Sequence, residues 1–142
     1  MRRIMTPLYT ATASAVGGRA GQVRSSDGVL DLALTRPKAM GGDGASGTNP
    51  EQLFAAAYCA CFESAVRFIS MQSGVKPDGC TVSADVTIGK AEDNGFGLAA
   101  ELTVNLPGVD RAKAQEIVEK AHQTCPFSHA TRGNIEVKLK LA

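Results

Sequence analysis

Hydrophobic and polar positions change period several times along the chain, and each change marks an element. From Leu8 to Val16, Thr or Ser alternates with Ala or Tyr, and Gly17-Gly18 closes the run, which predicts a first strand. Gln22 to Arg24, the turn Ser25-Ser26-Asp27-Gly28 and Val29 to Thr35 predict a hairpin with Leu30, Leu32 and Leu34 on one face, ended by Pro37. Alternation returns in Thr81 to Ala91 and Gly97 to Leu106, around Glu92-Asp93-Asn94-Gly95, whose Asn-Gly is a strong hairpin signal. Ile135-Glu136-Val137-Lys138-Leu139-Lys140-Leu141 alternates cleanly and predicts a half-buried last strand.

Between these runs the period is helical. Asn49 supplies an N-cap, Pro50 takes the first helical position, and Gln52 completes a capping-box-like pattern. From Glu51 to about Gln72 the only further charges are Glu63 and Arg67, and apolar residues fall on every side through Leu53 to Phe62. A helix apolar all round is a buried one, and in so small a domain a partner subunit could cover one side. Gly74 supplies the stop. Asp110 caps a second, amphipathic helix whose stripe is Ala114, Ile117, Val118 and Ala121. Cys125 lies at its end, because Pro126 disfavours further helix at the residue before it. The glycine-rich loop Gly41 to Gly47 lacks the Lys followed by Ser or Thr that a phosphate-binding loop needs.

The length of 142 residues allows one domain, residues 1–142, with a real core. A net charge of +1, with no basic run beyond Arg2-Arg3, gives no reason to expect nucleic acid or another polyanion as partner. Cys59, Cys61, Cys80 and Cys125 are too few for a secreted disulfide scaffold, so a reducing, cytoplasmic setting is expected. The apolar part of the first residues is interrupted by Thr6, Pro7, Thr10 and Thr12, which argues against a signal peptide. No apolar stretch approaches the ~20 residues of a membrane span, so no membrane association is expected.

The candidate chemistry lies in the sulfurs. Cys61 and Cys125 sit on separate elements and meet only if the fold joins them, a pattern suited to thiol redox chemistry. Cys59 and Cys61 differ by about 200° of helical rotation, so only one of them can face Cys125, and the spacing leaves open which. Both could equally be small core residues, and Cys80 reads as structural. A thiol with the ordinary pKa of about 8.5 needs roughly 2 kcal/mol of preferential anion stabilisation to reach about 7, which a nearby guanidinium can supply. Arg19, directly after Gly17-Gly18, is a candidate donor. Glu51, ten residues before Cys61 and so roughly 15 Å away along a helix, would act by positioning that arginine, since a carboxylate beside sulfur raises the thiol pKa. It could as well simply complement the helix N-terminus. At a helix C-terminus Cys125 is disfavoured as a thiolate, which suits a second attacker better than a first. His122 could instead form a Cys-His pair, or join His129, Cys61 and Cys125 in a zinc or small-ligand module, although neither spacing matches a strong signature.

Two stretches, Gly47-Thr48-Asn49-Pro50-Glu51-Gln52-Leu53-Phe54-Ala55-Ala56 through Ala60-Cys61-Phe62-Glu63-Ser64-Ala65, and Cys125-Pro126 with Ala130-Thr131-Arg132-Gly133-Asn134, resemble the organic hydroperoxide resistance (Ohr) branch of the OsmC/Ohr family. The similarity extends through Tyr9 to Leu34 and the Gly95-Phe96-Gly97-Leu98 hairpin. The resemblance implies an α+β, OsmC/Ohr-like fold, with antiparallel-rich β-sheets wrapped around central helices in an intertwined homodimer whose sites lie at the subunit interface. It implies a cysteine-based peroxidase that reduces organic hydroperoxides to alcohols, with Cys61 as peroxidatic thiol, Cys125 as resolving thiol, and Arg19 and Glu51 as the polar pair around the reactive sulfur. The implied cycle passes through a Cys61 sulfenic acid and a Cys61-Cys125 disulfide, reopened by a dithiol of the lipoyl type, with no bound cofactor or metal. An OsmC-type relative with another substrate range would share that chemistry. Three positions depart from the family pattern: Cys59 is an extra thiol, Phe127 replaces an expected tyrosine, and His129 replaces an expected asparagine.

Overall fold

The computed structural model describes residues 2–142. They form six strands and three α-helices, in two compact units: one running to Leu53 and the other from Phe54 to Ala142, the boundary falling inside the first helix. The architecture is α+β, as expected.

The first unit holds an antiparallel sheet in the order β1 (Ala13–Val16), β2 (Gln22–Ser25), β3 (Asp31–Ala33). The strand expected from Leu8 is shorter than its alternation suggests. Since β2 turns away after Ser25, the pairing that begins at Ala13 opposite Ser25 leaves Leu8 to Ala11 without a partner strand; only the carbonyl of Thr12 still accepts, from the amide of Ser26, at 2.9 Å. The loop after β3 carries a single 3-10 turn, Lys38–Met40, and a bridge between Leu34 and Thr48 ties its two ends.

Helix α1 (Pro50–Gln72) begins as its caps dictate: Asn49 Oδ1 accepts the Gln52 amide at 2.9 Å. The Gln52 side chain does not close a capping box; its Oε1 accepts instead from the hydroxyl of Thr48, at 2.9 Å. At the other end Gly74 adopts φ +70°, and the Gly74 and Val75 amides donate to Met71 and Ser70. That pair of bonds is a Schellman stop.

In the second unit β4 (Thr81–Lys90) and β5 (Phe96–Asn105) form the expected hairpin, with Asn94 in the left-handed region at φ 65°. Strand β6 (Glu136–Leu141) adds to β5 in parallel. Helix α2 (Arg111–Thr124) is capped by the Asp110 carboxylate, which accepts from the Ala112 and Lys113 amides, and buries Ala114, Ile117, Val118 and Ala121. A short helix α3 (Pro126–Thr131), not foreseen in the sequence, starts directly behind it. Pro126, read as a terminator, also takes the first-turn position where a missing N–H costs nothing.

The core of this unit joins Tyr58, Phe62, Val66 and Ile69 of α1 to Ala100, Leu102 and Val104 of β5 and to the α2 stripe. Within the chain, then, α1 is buried along one stripe and not all round: Ala56, Ala57, Ala60, Phe68 and Met71 are exposed. It is also long and apolar enough to cross a membrane by length and composition, its best window averaging a hydropathy of 1.3. The expectation that nothing in the chain approaches that length fails here, because the few polar residues inside the helix, the Glu63–Arg67 ion pair with Ser64 and Ser70, leave its mean hydropathy high. A core helix passes the same test, and the buried stripe of α1 serves that role.

Leu102 is fully buried at the middle of this core. Leu102→Ala is expected to lower unfolding free energy by about 2–5 kcal/mol, through lost transfer energy and the cavity left behind. A urea midpoint unchanged from that of the native sequence would show that Leu102 is not in a packed interior.

Candidate active site

Cys61 lies midway along α1. Cys125 lies at the joint between α2 and α3, where it closes one helix and opens the next. Its amide donates to the carbonyl of Ala121 at 2.8 Å, its backbone is extended at φ −62°, ψ 125°, and its carbonyl accepts from His129 at 3.1 Å. The two sulfurs stand 3.6 Å apart, both as free thiols, with Cys125 donating. Cys125 is fully buried and Cys61 half-buried. Cys59 points elsewhere and donates to the carbonyl of Ala56 on its own helix, at 3.3 Å. The choice the sequence left open thus falls to Cys61.

Burial raises the Cys61 thiol above its ordinary pKa, and the neighbouring Cys125 raises it further; the backbone amide of Phe127, in the first turn of α3, pulls the other way. The electrostatic contrast between the two cysteines is less simple than the sequence suggested. Cys125 faces the negative end of α2 and the positive end of α3 together.

Around this pair is a set of hydrogen-bonded groups of which the sequence singled out only His122. Tyr58, fully buried one turn before Cys61, packs its ring against Phe54, Phe62 and Phe127 at centroid distances of 6.0, 6.4 and 5.8 Å. Its hydroxyl lies 3.1 Å from Ser128 Oγ and 3.2 Å from Thr131 Oγ1, both on α3. His122 Nδ1 lies 2.9 Å from the same Ser128 Oγ. A hydroxyl-bearing ring inside an otherwise apolar run, and Ser and Thr three residues apart just after Pro126, were the available signals. His129 lies with its Nδ1 3.3 Å from the Arg132 guanidinium. No three His, Cys, Asp or Glu side chains gather among the described residues, so the grouping of Cys61, His122, Cys125 and His129 around a metal finds no support.

The first unit contains the predicted polar pair. Arg19 sits in a one-turn 3-10 segment, Gly18–Ala20, between Gly17 at φ +75° and Gly21. A Cβ on Gly21 would stand 1.7 Å from the carbonyl oxygen of Val16, so only glycine permits this turn. From it Arg19 forks onto Glu51 in the first turn of α1, with Nη1 to Oε2 at 2.8 Å and Nη2 to Oε1 at 2.6 Å. The hydrogen bonds from Arg19 hold the Glu51 carboxyl below its usual range against the opposing effect of burial. Glu51 thus holds the guanidinium while also standing at a helix N-terminus.

Residues 41–140 match the family model described as OsmC-like protein. The chain belongs to the OsmC/Ohr family. It is 52% identical over 136 residues to an organic hydroperoxide resistance protein of Xanthomonas axonopodis pv. citri, covering 95% of each chain. The crystal structure of the organic hydroperoxide resistance protein OhrB of Bacillus subtilis superposes with a TM-score of 0.90 at 47% identity, over 96% of this chain and 100% of that one. An organic hydroperoxide resistance protein from Elizabethkingia anophelis, with crystallant-derived thiocyanate bound, gives a TM-score of 0.92 at 51% identity, over 97% and 99%. Both the fold class and the family expected from the sequence are thereby established.

A carboxyl held low contributes stability that is complete above its unfolded pKa and is lost as pH falls through its folded one. Glu51→Gln is therefore expected to flatten the decline of thermal stability below about pH 5. Superimposable acid limbs for the two proteins would mean that the Arg19 fork adds nothing to stability.

Proposed function

We propose that this chain is a thiol-dependent peroxidase that reduces organic hydroperoxides to alcohols. The observation that carries the reading is the 3.6 Å separation of the Cys61 and Cys125 sulfurs across a sequence distance of 64 residues. Family membership supports the substrate class, since the relatives are named for organic hydroperoxide resistance.

In the first step the Cys61 thiolate attacks the terminal oxygen of the hydroperoxide. The O–O bond breaks, sulfur is oxidised to sulfenic acid, and the departing alkoxide takes a proton to become the alcohol. Next, the sulfur of Cys125 attacks that of Cys61, the S–O bond breaks, and hydroxide leaves as water with the proton that Cys125 gives up. The resulting disulfide is reopened by exchange with a dithiol, lipoyl groups being the expected source, which is itself oxidised. Arg19, held by Glu51, is the group proposed to favour the Cys61 anion. A cytoplasmic setting, where thiols are kept reduced, suits this cycle.

The protein is proposed to work as an intertwined homodimer. Val16 and Val29 in the first unit, and Phe68 and Met71 on α1, are exposed in the chain by itself, and a second copy would cover such surfaces.

One equivalent of cumene hydroperoxide is expected to lower the intact mass by two hydrogens and to link the Cys61 and Cys125 peptides, a change absent in Cys61→Ser. Retention of both thiols in the native sequence would reject the peroxidase reading. Arg19→Ala should slow peroxide consumption at least tenfold, measured by single-turnover kinetics, with far-UV circular dichroism unchanged; a native rate would remove Arg19 from the mechanism.

A further inference from the structure

A network of hydrogen bonds beside the two cysteines links His122, Ser128, Tyr58 and Thr131. Thr131 directs its single hydroxyl proton to the carbonyls of Phe127 and Ser128, at 3.0 and 3.2 Å. With that proton so placed, its oxygen accepts from Tyr58, at 3.2 Å. Tyr58, its one proton committed, must accept from Ser128 at 3.1 Å, and Ser128 must in turn accept from His122 Nδ1 at 2.9 Å. In this arrangement donation runs through three links, from His122 Nδ1 through Ser128 and Tyr58 to Thr131.

This chain of bonds has a mechanical consequence. His122 is in the last turn of α2, Ser128 and Thr131 are on α3, and Tyr58 is on α1. Cys125 is the joint between the first two helices, and Cys61 follows Tyr58 by three residues, on the same side of α1. The network thus spans all three segments that determine where the two sulfurs stand. Neither Tyr58 nor Ser128 has any exposed surface, and Phe54, Phe62 and Phe127 enclose the ring, so water cannot replace a missing partner cheaply. Disulfide closure tolerates only a narrow range of Cα separations and dihedral angles, and the loss of such a tie is felt most in that step.

We propose that Tyr58, acting through Ser128 and Thr131, is a positioning residue for the second step of the cycle, holding Cys125 where it can attack oxidised Cys61; the inference rests on the peroxidase reading above. Tyr58 need not touch the peroxide, and its hydroxyl acts on the ratio of the two steps. A purely structural role would slow both alike.

Tyr58→Phe keeps the ring and removes only the hydroxyl. After one equivalent of cumene hydroperoxide in the presence of dimedone, which traps sulfenic acids, the native sequence is expected to give mainly the Cys61-Cys125 disulfide. Tyr58→Phe is expected to give mainly the Cys61-dimedone adduct, with closure slowed at least tenfold relative to sulfenic acid formation. Thr131→Val, which removes the terminal acceptor, should shift the ratio in the same direction, and it provides the reading if Tyr58→Phe does not fold. An unchanged ratio in a folded variant, or equal slowing of both steps, would overturn the positioning role and leave the peroxidase reading standing. Loss of the fold in both variants would make the network structural and overturn it as well. Neither adduct nor disulfide in the native sequence would end the peroxidase reading itself.

Discussion

The arrangement of the second unit depends on one backbone constraint: α2 must stop at Cys125. Proline at position 126 disfavours helical backbone at the residue before it, and the extended Cys125 turns the chain so that α3 starts at once in a new direction. Because Cys125 is the pivot, its sulfur projects from the corner between two helices, where Cys61 of α1 meets it at 3.6 Å. Had the helix continued, Cys125 would be one more position on the face of α2, and Ser128 and Thr131 would follow that helix outward. The stripe of Ala114, Ile117, Val118 and Ala121 settles α2 in the core, and the proline decides where the next residues go.

A different constraint works in the first unit. Arg19 is held by backbone that only glycine can follow, with Gly17 at positive φ and Gly21 pressed against the Val16 carbonyl. A flexible side chain on a rigid turn, with both guanidinium nitrogens on one carboxylate, loses less freedom when it acts than an unanchored arginine would. Glu51 is supplied by the first turn of α1, whose start is specified by Asn49 and Pro50. The ion pair is thus as well determined by local sequence as the sulfur pair is by helix termination.

Much of this could be read from the chain because local signals and tertiary structure agree. The Asn49 cap, the Gly74 stop, the Asp110 cap and the α2 stripe each appear where sequence placed them. Where reading and structure part, a partner is responsible. The first strand is cut to Ala13–Val16 by the length of β2, which alternation within residues 8–16 cannot reveal. The parallel addition of β6 to β5 depends on pairing across the sheet and leaves no trace in its alternation. The choice between Cys59 and Cys61 depends on which side of α1 faces the core, and an apolar run with no polar face conceals its own orientation. Tyr58 escaped notice for the same reason: in such a run its hydroxyl looks like an incidental edge of a core aromatic until Ser128 and Thr131 are placed against it.

The electrostatics of Cys61 show what the sulfur pair alone cannot do. Burial and a neighbouring thiol both push its pKa up, and of the groups in its own unit that act on it only the Phe127 amide pulls down. Burial works against the Cys61 thiolate, so the proposed peroxidase chemistry calls for positive charge from elsewhere in the protein. Arg19 is the cation proposed for that role; its fork onto Glu51 fixes its side chain and neutralises part of its charge. In the proposed cycle the cation would act chiefly by holding the anion and the peroxide in line, and catalysis would draw as much on alignment of the reacting atoms as on a lowered pKa.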